Sequence, residues 1–222
     1  MINKYNMTRE QNIFLAKRNI VDYIYRSANL EGISVTYPQI EVIYEGFTVA
    51  NMKEQDYKTI INLRDAWRFL LENLDYNIDF NYICEINRRI GNFNLIPNAG
   101  FIRKMSVRIG GTSWTPDIPI ETQIKEDLLN ITNLKNETFR AINLMLYLMR
   151  KQMFLDGNKR TAMLAANQIM ISSGAGIISI PVEMLEEFKK ILIDYYESNN
   201  KENALKFIYD NCIDGIDFSW GN

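Results

Sequence analysis

The segment from Lys151 to Asn167, KQMFLDGNKRTAMLAAN, holds the densest reactive chemistry in the chain. Asp156, Gly157, Asn158, Lys159 and Arg160 place a carboxylate, a glycine, an amide and two cations in consecutive positions. A helix starting near Asn158 leaves its first backbone N–H groups without intrahelical partners, and the positive end of its dipole adds to them, so that end forms an anion site. Gly157 allows positive φ and close approach of a ligand to the backbone. Lys159 and Arg160 sit at the end of the helix where cations are unfavourable. A polyanion such as a di- or triphosphate would offset that. Asp156 is of the type that holds a Mg²⁺ bridging phosphates. The same string also fits an N-cap at Asp156 or Asn158 followed by solvated cations, and the residues alone leave both readings standing.

The chain of 222 residues contains no histidine. This excludes serine and cysteine triads with a histidine base, histidine metal sites and histidine acid–base catalysis. Chemistry here must use carboxylates, lysines, a metal or the bound substrate itself. Cys84 and Cys212 have neither zinc-site spacing nor a disulfide framework, and read as buried free thiols in a reducing compartment. A net charge of −2 argues against nucleic-acid binding through bulk positive charge. The polar start and the lack of any run of membrane-spanning length lead to the expectation of a cytoplasmic protein with no membrane contact.

The elements that would position the loop are mostly helical in pattern. Apolar residues recur at helical spacing over 8–29, 53–73, 81–90, 121–129, 138–149, 161–171, 181–196 and 203–211. Residues 36–50 read as a loop with one helical turn. Residues 100–119, GFIRKMSVRIGGTSWTPDIP, alternate polar and apolar about a Gly-Gly pair, which predicts a β-hairpin. The expected architecture is a helical domain carrying one hairpin, without repeats or a clear linker.

Gln152 to Arg160 resembles the signature of the Fic/Doc (Fido) family, H-x-F-x-[D/E]-G-N-[G/K]-R followed by a helix. The continuation NKRTA is similar to the Doc-like branch. The 100–119 stretch resembles the family's flap, which aligns target chains by strand pairing. Ser27 to Gly32, SANLEG, resembles the inhibitory-helix pattern [S/T]-x-x-x-E-[G/N]. The resemblance implies a mainly α Fic-fold bundle with one β-hairpin flap. It implies a single Fic domain over 1–222, with 1–50 as an N-terminal helical extension and 181–222 as C-terminal helices. It also implies transfer of AMP, or a related phosphate-containing group, from ATP to a hydroxyl of a target protein.

By position, the resemblance implies that Phe154 anchors the loop, Asp156 would hold Mg²⁺, the backbone of Gly157, Asn158 and Lys159 would form the anion hole, and Arg160 would clamp a phosphate. Ser27 and Glu31 correspond to the inhibitory residues, and Gly111, Thr112 and Trp114 lie on the flap where a target would dock. The implied cofactors are ATP and Mg²⁺.

Two positions depart from the family pattern. Gln152 stands where the family has its proton-accepting histidine, and an amide cannot take a proton near neutral pH. Met163 stands where the AMP-transferring branch has a second arginine, the usual partner of the inhibitory glutamate. From sequence, Glu31 is therefore expected to lack an ion pair, with Lys159 as the one substitute in view, and its removal is expected to have little effect. Three functions fit: a nucleotide-dependent protein modifier with weakened proton handling, a catalytically inactive nucleotide-binding pseudoenzyme of sensor or antitoxin-like type, and an interaction module that docks strands on the flap. A homo-oligomer is compatible with each.

Overall fold

The structure, a computed structural model, describes residues 2–217; Met1 and the last five residues of the expected C-terminal segment lie outside it. The described residues form ten α-helices, eight of them arranged around one central helix hairpin. The helices are α1 Arg9–Arg18, α2 Ile20–Leu30, α3 Tyr37–Tyr44, α4 Glu54–Glu72, α5 Phe80–Ile90, α6 Glu121–Thr132, α7 Glu137–Lys151, α8 Asn158–Ser172, α9 Leu185–Ser198 and α10 Glu202–Asn211. A short 3₁₀ turn, Val182–Met184, leads into α9. No helix of the described residues is long and apolar enough to cross a membrane.

The centre is the pair α7 and α8, which form the most extensive helix–helix contact of the molecule. Thirteen of the fifteen residues of α8 are buried. Ala162, Ala165 and Ala166 are fully enclosed, and their small side chains let neighbouring helices approach on several sides. α1, α4 and α5 pack against α8 as well. A helix buried all round cannot shift without disturbing several neighbours, so its N-terminus, which begins at Asn158, is a fixed point.

Local rules explain most boundaries. Thr8 caps α1 by accepting from Gln11 N–H at 3.2 Å, while its own N–H donates to the Gln11 side chain at 2.8 Å. The helix expected over 8–29 is interrupted at Asn19, which ends α1 and starts α2. The stretch expected to be loop with one turn at 36–50 instead contains α3. Thr36 N–H donates to Gln39 Oε1 at 2.9 Å, and Pro38 sits in the first turn, where its missing N–H costs nothing.

The hairpin expected over 100–119 is a correction. The segment leaves the body and returns, turning near Gly110 and Gly111, but it contains no β-strand. Pro116 and Pro119 remove ladder donors, and the carbonyls of Met105, Pro116 and Asp117 accept instead from the buried side chain of Arg103. The sheet of the described residues lies elsewhere. It pairs β1 Ile177–Ile178 with β2 Ile213–Asp214, antiparallel, with Ile177 opposite Asp214.

Asn167 ties this sheet to the central helix. Its amide donates to Ile178 O at 2.8 Å and its oxygen accepts from Ile178 N–H at 2.7 Å, wholly buried. Replacing Asn167 by Leu strands a buried donor and a buried acceptor. Each stranded group costs about 1–3 kcal/mol, so urea unfolding should show a loss of about 2–6 kcal/mol in the N167L variant.

Candidate active site at the α7–α8 loop

The loop between α7 and α8 is short and tightly bonded. α7 ends at Gln152, whose backbone is left-handed at φ 50, ψ 58. Phe154 is buried beneath the loop. Asn158, the first residue of α8, closes the turn: its oxygen accepts from Phe154 N–H at 3.0 Å, and its amide donates to Phe154 O at 2.9 Å and to Gln152 Oε1 at 3.0 Å. Gly157 precedes α8 at φ 76, and a Cβ there would lie 2.9 Å from the Ile96 side chain and 3.1 Å from Ile90. Only glycine fits both constraints. Asn87 of α5 braces the loop from behind. It donates to Asp156 O and to the Thr161 hydroxyl, both at 3.1 Å, and accepts from Gly100 N–H at 2.9 Å.

A cavity of about 450 Å³ opens beside this loop. Four parts of the chain line it: Leu30 and Glu31 at the end of α2, residues 107–110 of the flap, the loop from Gln152 to Lys159, and Lys189, Leu192, Ile193 and Tyr196 on α9. Arg108, Lys159 and Lys189 bring positive charge to the walls, against Glu31 and Asp156. The size lies within the range of small-molecule sites.

Gln152 faces this cavity, but its side chain is engaged: the amide donates to Met149 O at 2.6 Å and the oxygen accepts from Asn158. Asp156 is 64% exposed and accepts from Gly157 N–H at 2.6 Å through one oxygen, which also faces Arg160 at 3.5 Å. No group of three acidic or thiol side chains able to hold a metal occurs among the described residues. Asp156 alone fits the way Mg²⁺ is held when substrate phosphates and water supply its remaining ligands.

Arg160 is buried and is not among the residues lining the cavity, contrary to what a phosphate clamp at the wall would require. It stands behind Glu31, its Nε 3.5 Å from Glu31 Oε2, while Lys159 Nζ lies 3.7 Å from Glu31 Oε1. Glu31 therefore has two cationic partners. The expectation that it would lack an ion pair fails because Arg160 itself reaches it, and Met163 is part of the hydrophobic core. Neither Arg160 Nε nor Glu31 Oε1, both buried, makes a hydrogen bond. Ser27 is buried one turn before Glu31 on α2.

The flap residues separate into two groups. Its rising limb, residues 107–110, walls the cavity. Gly111, Thr112 and Trp114 dock on α9: a Cβ on Gly111 would meet Ile193 at 2.9 Å, Thr112 donates to Glu197 at 2.7 Å, and Trp114 stacks on Tyr196 at 5.6 Å with the Arg150 guanidinium 4.5 Å over its ring. Burial raises the Tyr196 phenol well above its ordinary pKa, and the neighbouring Tyr195 adds to the shift. Sequence reasoning missed Arg108, Lys189, Tyr196, Asn87 and Arg103. The alternating SVRIGG stretch carried a signal for Arg108; Arg103 lies in the same flap segment but has no local sign of its partners, and Asn87, Lys189 and Tyr196 come from distant parts of the chain.

The Fic/DOC family profile matches residues 77–170, which contain the loop, the flap and all but the last two residues of α8. The protein adenylyltransferase fic-1 of Caenorhabditis elegans is 30% identical over 181 residues, covering 75% of this chain and 34% of the relative. This chain belongs to the Fic/DOC family. The Caenorhabditis briggsae fic-1 is 29% identical over 180 residues, with the same coverage. The solved structure of a C. elegans Fic-1 fragment superposes with a TM-score of 0.75 at 24% identity, over 88% of this chain and 62% of that one, and shares the Fic fold. The chain spans about a third of the length of the curated relatives it matches.

The loop of this Fic protein should tolerate no side chain at its glycine. A Gly157→Ala variant is forced into a left-handed backbone at a cost of about 1–2 kcal/mol, before any clash with Ile96. Differential scanning calorimetry should show a fall of roughly 2–8 °C in Tm for a chain of this size.

Proposed function

We propose that the cavity binds the phosphates of ATP and that the protein transfers AMP, or a related phosphate-containing group, to a hydroxyl of a target protein. The observation that carries this reading is the convergence of the α8 N-terminus, Lys159 and Asp156 on one cavity, with the Glu31 carboxylate at its wall facing Lys159 and, behind it, the buried Arg160. The family membership and the adenylyltransferase names of the relatives support the same class of reaction. Phosphates would take the place of Glu31 beside Lys159 and Arg160 and accept from the first N–H groups of α8. Asp156 would hold Mg²⁺, which neutralises phosphate charge when bound. In the transfer, the target oxygen forms a bond to the α-phosphorus as the bond to pyrophosphate breaks.

Gln152 orients the attacking hydroxyl and cannot take its proton, which leaves to water or phosphate. Loss of a general base costs about 10²–10⁴ in rate. Transfer at phosphorus leans more on positioning and charge than on a base, so slow activity remains within reach. The engagement of Gln152 with Met149 and Asn158 favours a second reading, a nucleotide-binding pseudoenzyme. In both readings Ser27 and Glu31 form an inhibitory end of α2. The flap's target docking and Mg²⁺ use belong to the same proposal.

Calorimetric titration with ATP, with and without Mg²⁺, tests the shared step. Wild type should bind weakly, and Glu31→Gln should bind about 10-fold or more tightly, because it frees cations worth about 1.5–3 kcal/mol per charged hydrogen bond. Equal affinities would remove Glu31 from the site. No binding by either protein would end both readings. A Gln152→His variant should label target proteins from radiolabelled ATP about 10²–10⁴ times faster than wild type. If it labels nothing while still binding ATP, the pseudoenzyme reading holds.

A further inference from the structure

We infer that Arg103 is a positioning residue that fastens both limbs of the flap to the backbone of Gln152. The side chain is buried, with the residue 2% exposed. Its Nε donates to Gln152 O at 2.7 Å, Nη1 to Met105 O at 2.7 Å, and Nη2 to Asp117 O at 2.6 Å and Pro116 O at 3.3 Å. Its own backbone N–H donates to Met153 O at 2.9 Å. One guanidinium thus joins the outgoing limb, the returning limb and the residue at the family's histidine position.

These partners are carbonyl oxygens and not carboxylates. A buried guanidinium without a carboxylate partner is costly unless its donors are met. Burial accordingly lowers the Arg103 pKa from the ordinary arginine range, with Asp117 opposing the shift. An apolar residue would fill the space at less cost, so the fork of donors is what the position uses. A planar group with five fixed N–H donors can bridge three chain segments, which an ammonium on a flexible stem cannot do as well.

Two features of the flap make this fork necessary. Its limbs form no strand ladder, so nothing of that kind joins residues 103–105 to 116–117. Gln152 holds a left-handed backbone that a non-glycine residue adopts only when its surroundings enforce it. Asn158 fixes the Gln152 side chain, and Arg103 fixes its carbonyl. The tip at Thr112 and Trp114 rests on α9 independently. Arg103 therefore sets the registry between the cavity wall at 107–110 and the Gln152 amide. Its part in the reaction rests on the nucleotide-transfer reading; its hold on the flap does not.

The test compares Arg103→Met, which keeps length and loses every donor, with Arg103→Lys, which keeps one cluster of donors. Hydrogen exchange followed by mass spectrometry reads the amides of residue 103, Trp114 and Phe154, each bonded in the native protein. Arg103→Met should exchange about 10–100-fold faster at residue 103 and across the flap, the equivalent of one or two charge-assisted hydrogen bonds. Trp114 emission, obtained by subtracting the Trp114→Phe signal, should shift as the ring leaves Tyr196 and Arg150. Arg103→Lys should fall between wild type and Arg103→Met. In the Gln152→His background, KM for the target should rise more than the ATP dissociation constant. Wild-type exchange and emission in Arg103→Met, with only Tm lowered, would reduce Arg103 to core packing. If Arg103→Met does not fold, Arg103→Lys decides by the same two readouts. A flap that loosens in a protein unable to bind ATP would keep the positioning role and refute the nucleotide reading alone.

Discussion

The site depends on one buried amide. The Asn158 side chain accepts from the backbone N–H of Phe154 and donates to its C=O, and it donates to the Gln152 side chain as well. These bonds turn five residues into a rigid loop and set where α8 begins. Because α8 is buried almost all round, a loop seated on its first residue inherits the fixed position of the core. Asn87 and the glycine at 157 close the back of the loop. The cavity wall at this point is thus an extension of the hydrophobic core, made of polar groups that satisfy one another.

The end of α2 is placed by a different local rule. Gly32 at φ 78 donates to Asn29 O at 2.9 Å, and Ile33 N–H donates to Ala28 O at 3.0 Å, the two bonds of a Schellman ending. The buried Ile33 side chain holds that ending against the body. The geometry leaves Glu31 at the negative end of its helix, where a carboxylate is disfavoured, and Lys159 and Arg160 at the positive end of theirs, where cations are disfavoured. Each charge is misplaced on its own helix. Bringing the two ends together lets the misplacements offset each other across the cavity.

How much of this could be read from sequence depends on the range of the interactions. The helix expected over 53–73 matches α4 Glu54–Glu72 because its signal is periodic and local. The polar loop and its helix start were legible for the same reason. α3 was obscured by β-branched residues, although Thr36, Pro38 and Gln39 carried the start signal. The two-residue strands are too short for any alternation to show. The flap read as a hairpin because its alternation is real, but Pro116 and Pro119 remove ladder donors and a side chain, Arg103, joins the limbs instead, with acceptors spread over residues 105–152. Of the two partners of Glu31, Lys159 was in view from sequence, whereas Arg160 was not. The chain separation between Glu31 and Arg160 hides a contact that only the packing of α2 on the core creates.

The Glu31 pair is also incompletely made, and this bears on what the site can do. Charge-assisted hydrogen bonds run at about 2.7–2.9 Å, whereas the Glu31 contacts to Arg160 and Lys159 are 3.5 Å and 3.7 Å. Arg160 Nε and Glu31 Oε1 stay buried without hydrogen bonds. A buried polar group left unsatisfied costs about 1–3 kcal/mol, so the pair holds the cavity without reaching its best geometry. A phosphate has more acceptor oxygens than one carboxylate and can meet the first N–H groups of α8 at the same time. On the proposed reading, phosphate would replace Glu31 beside Lys159 and Arg160, and the incomplete geometry of the present pair lowers the cost of that exchange.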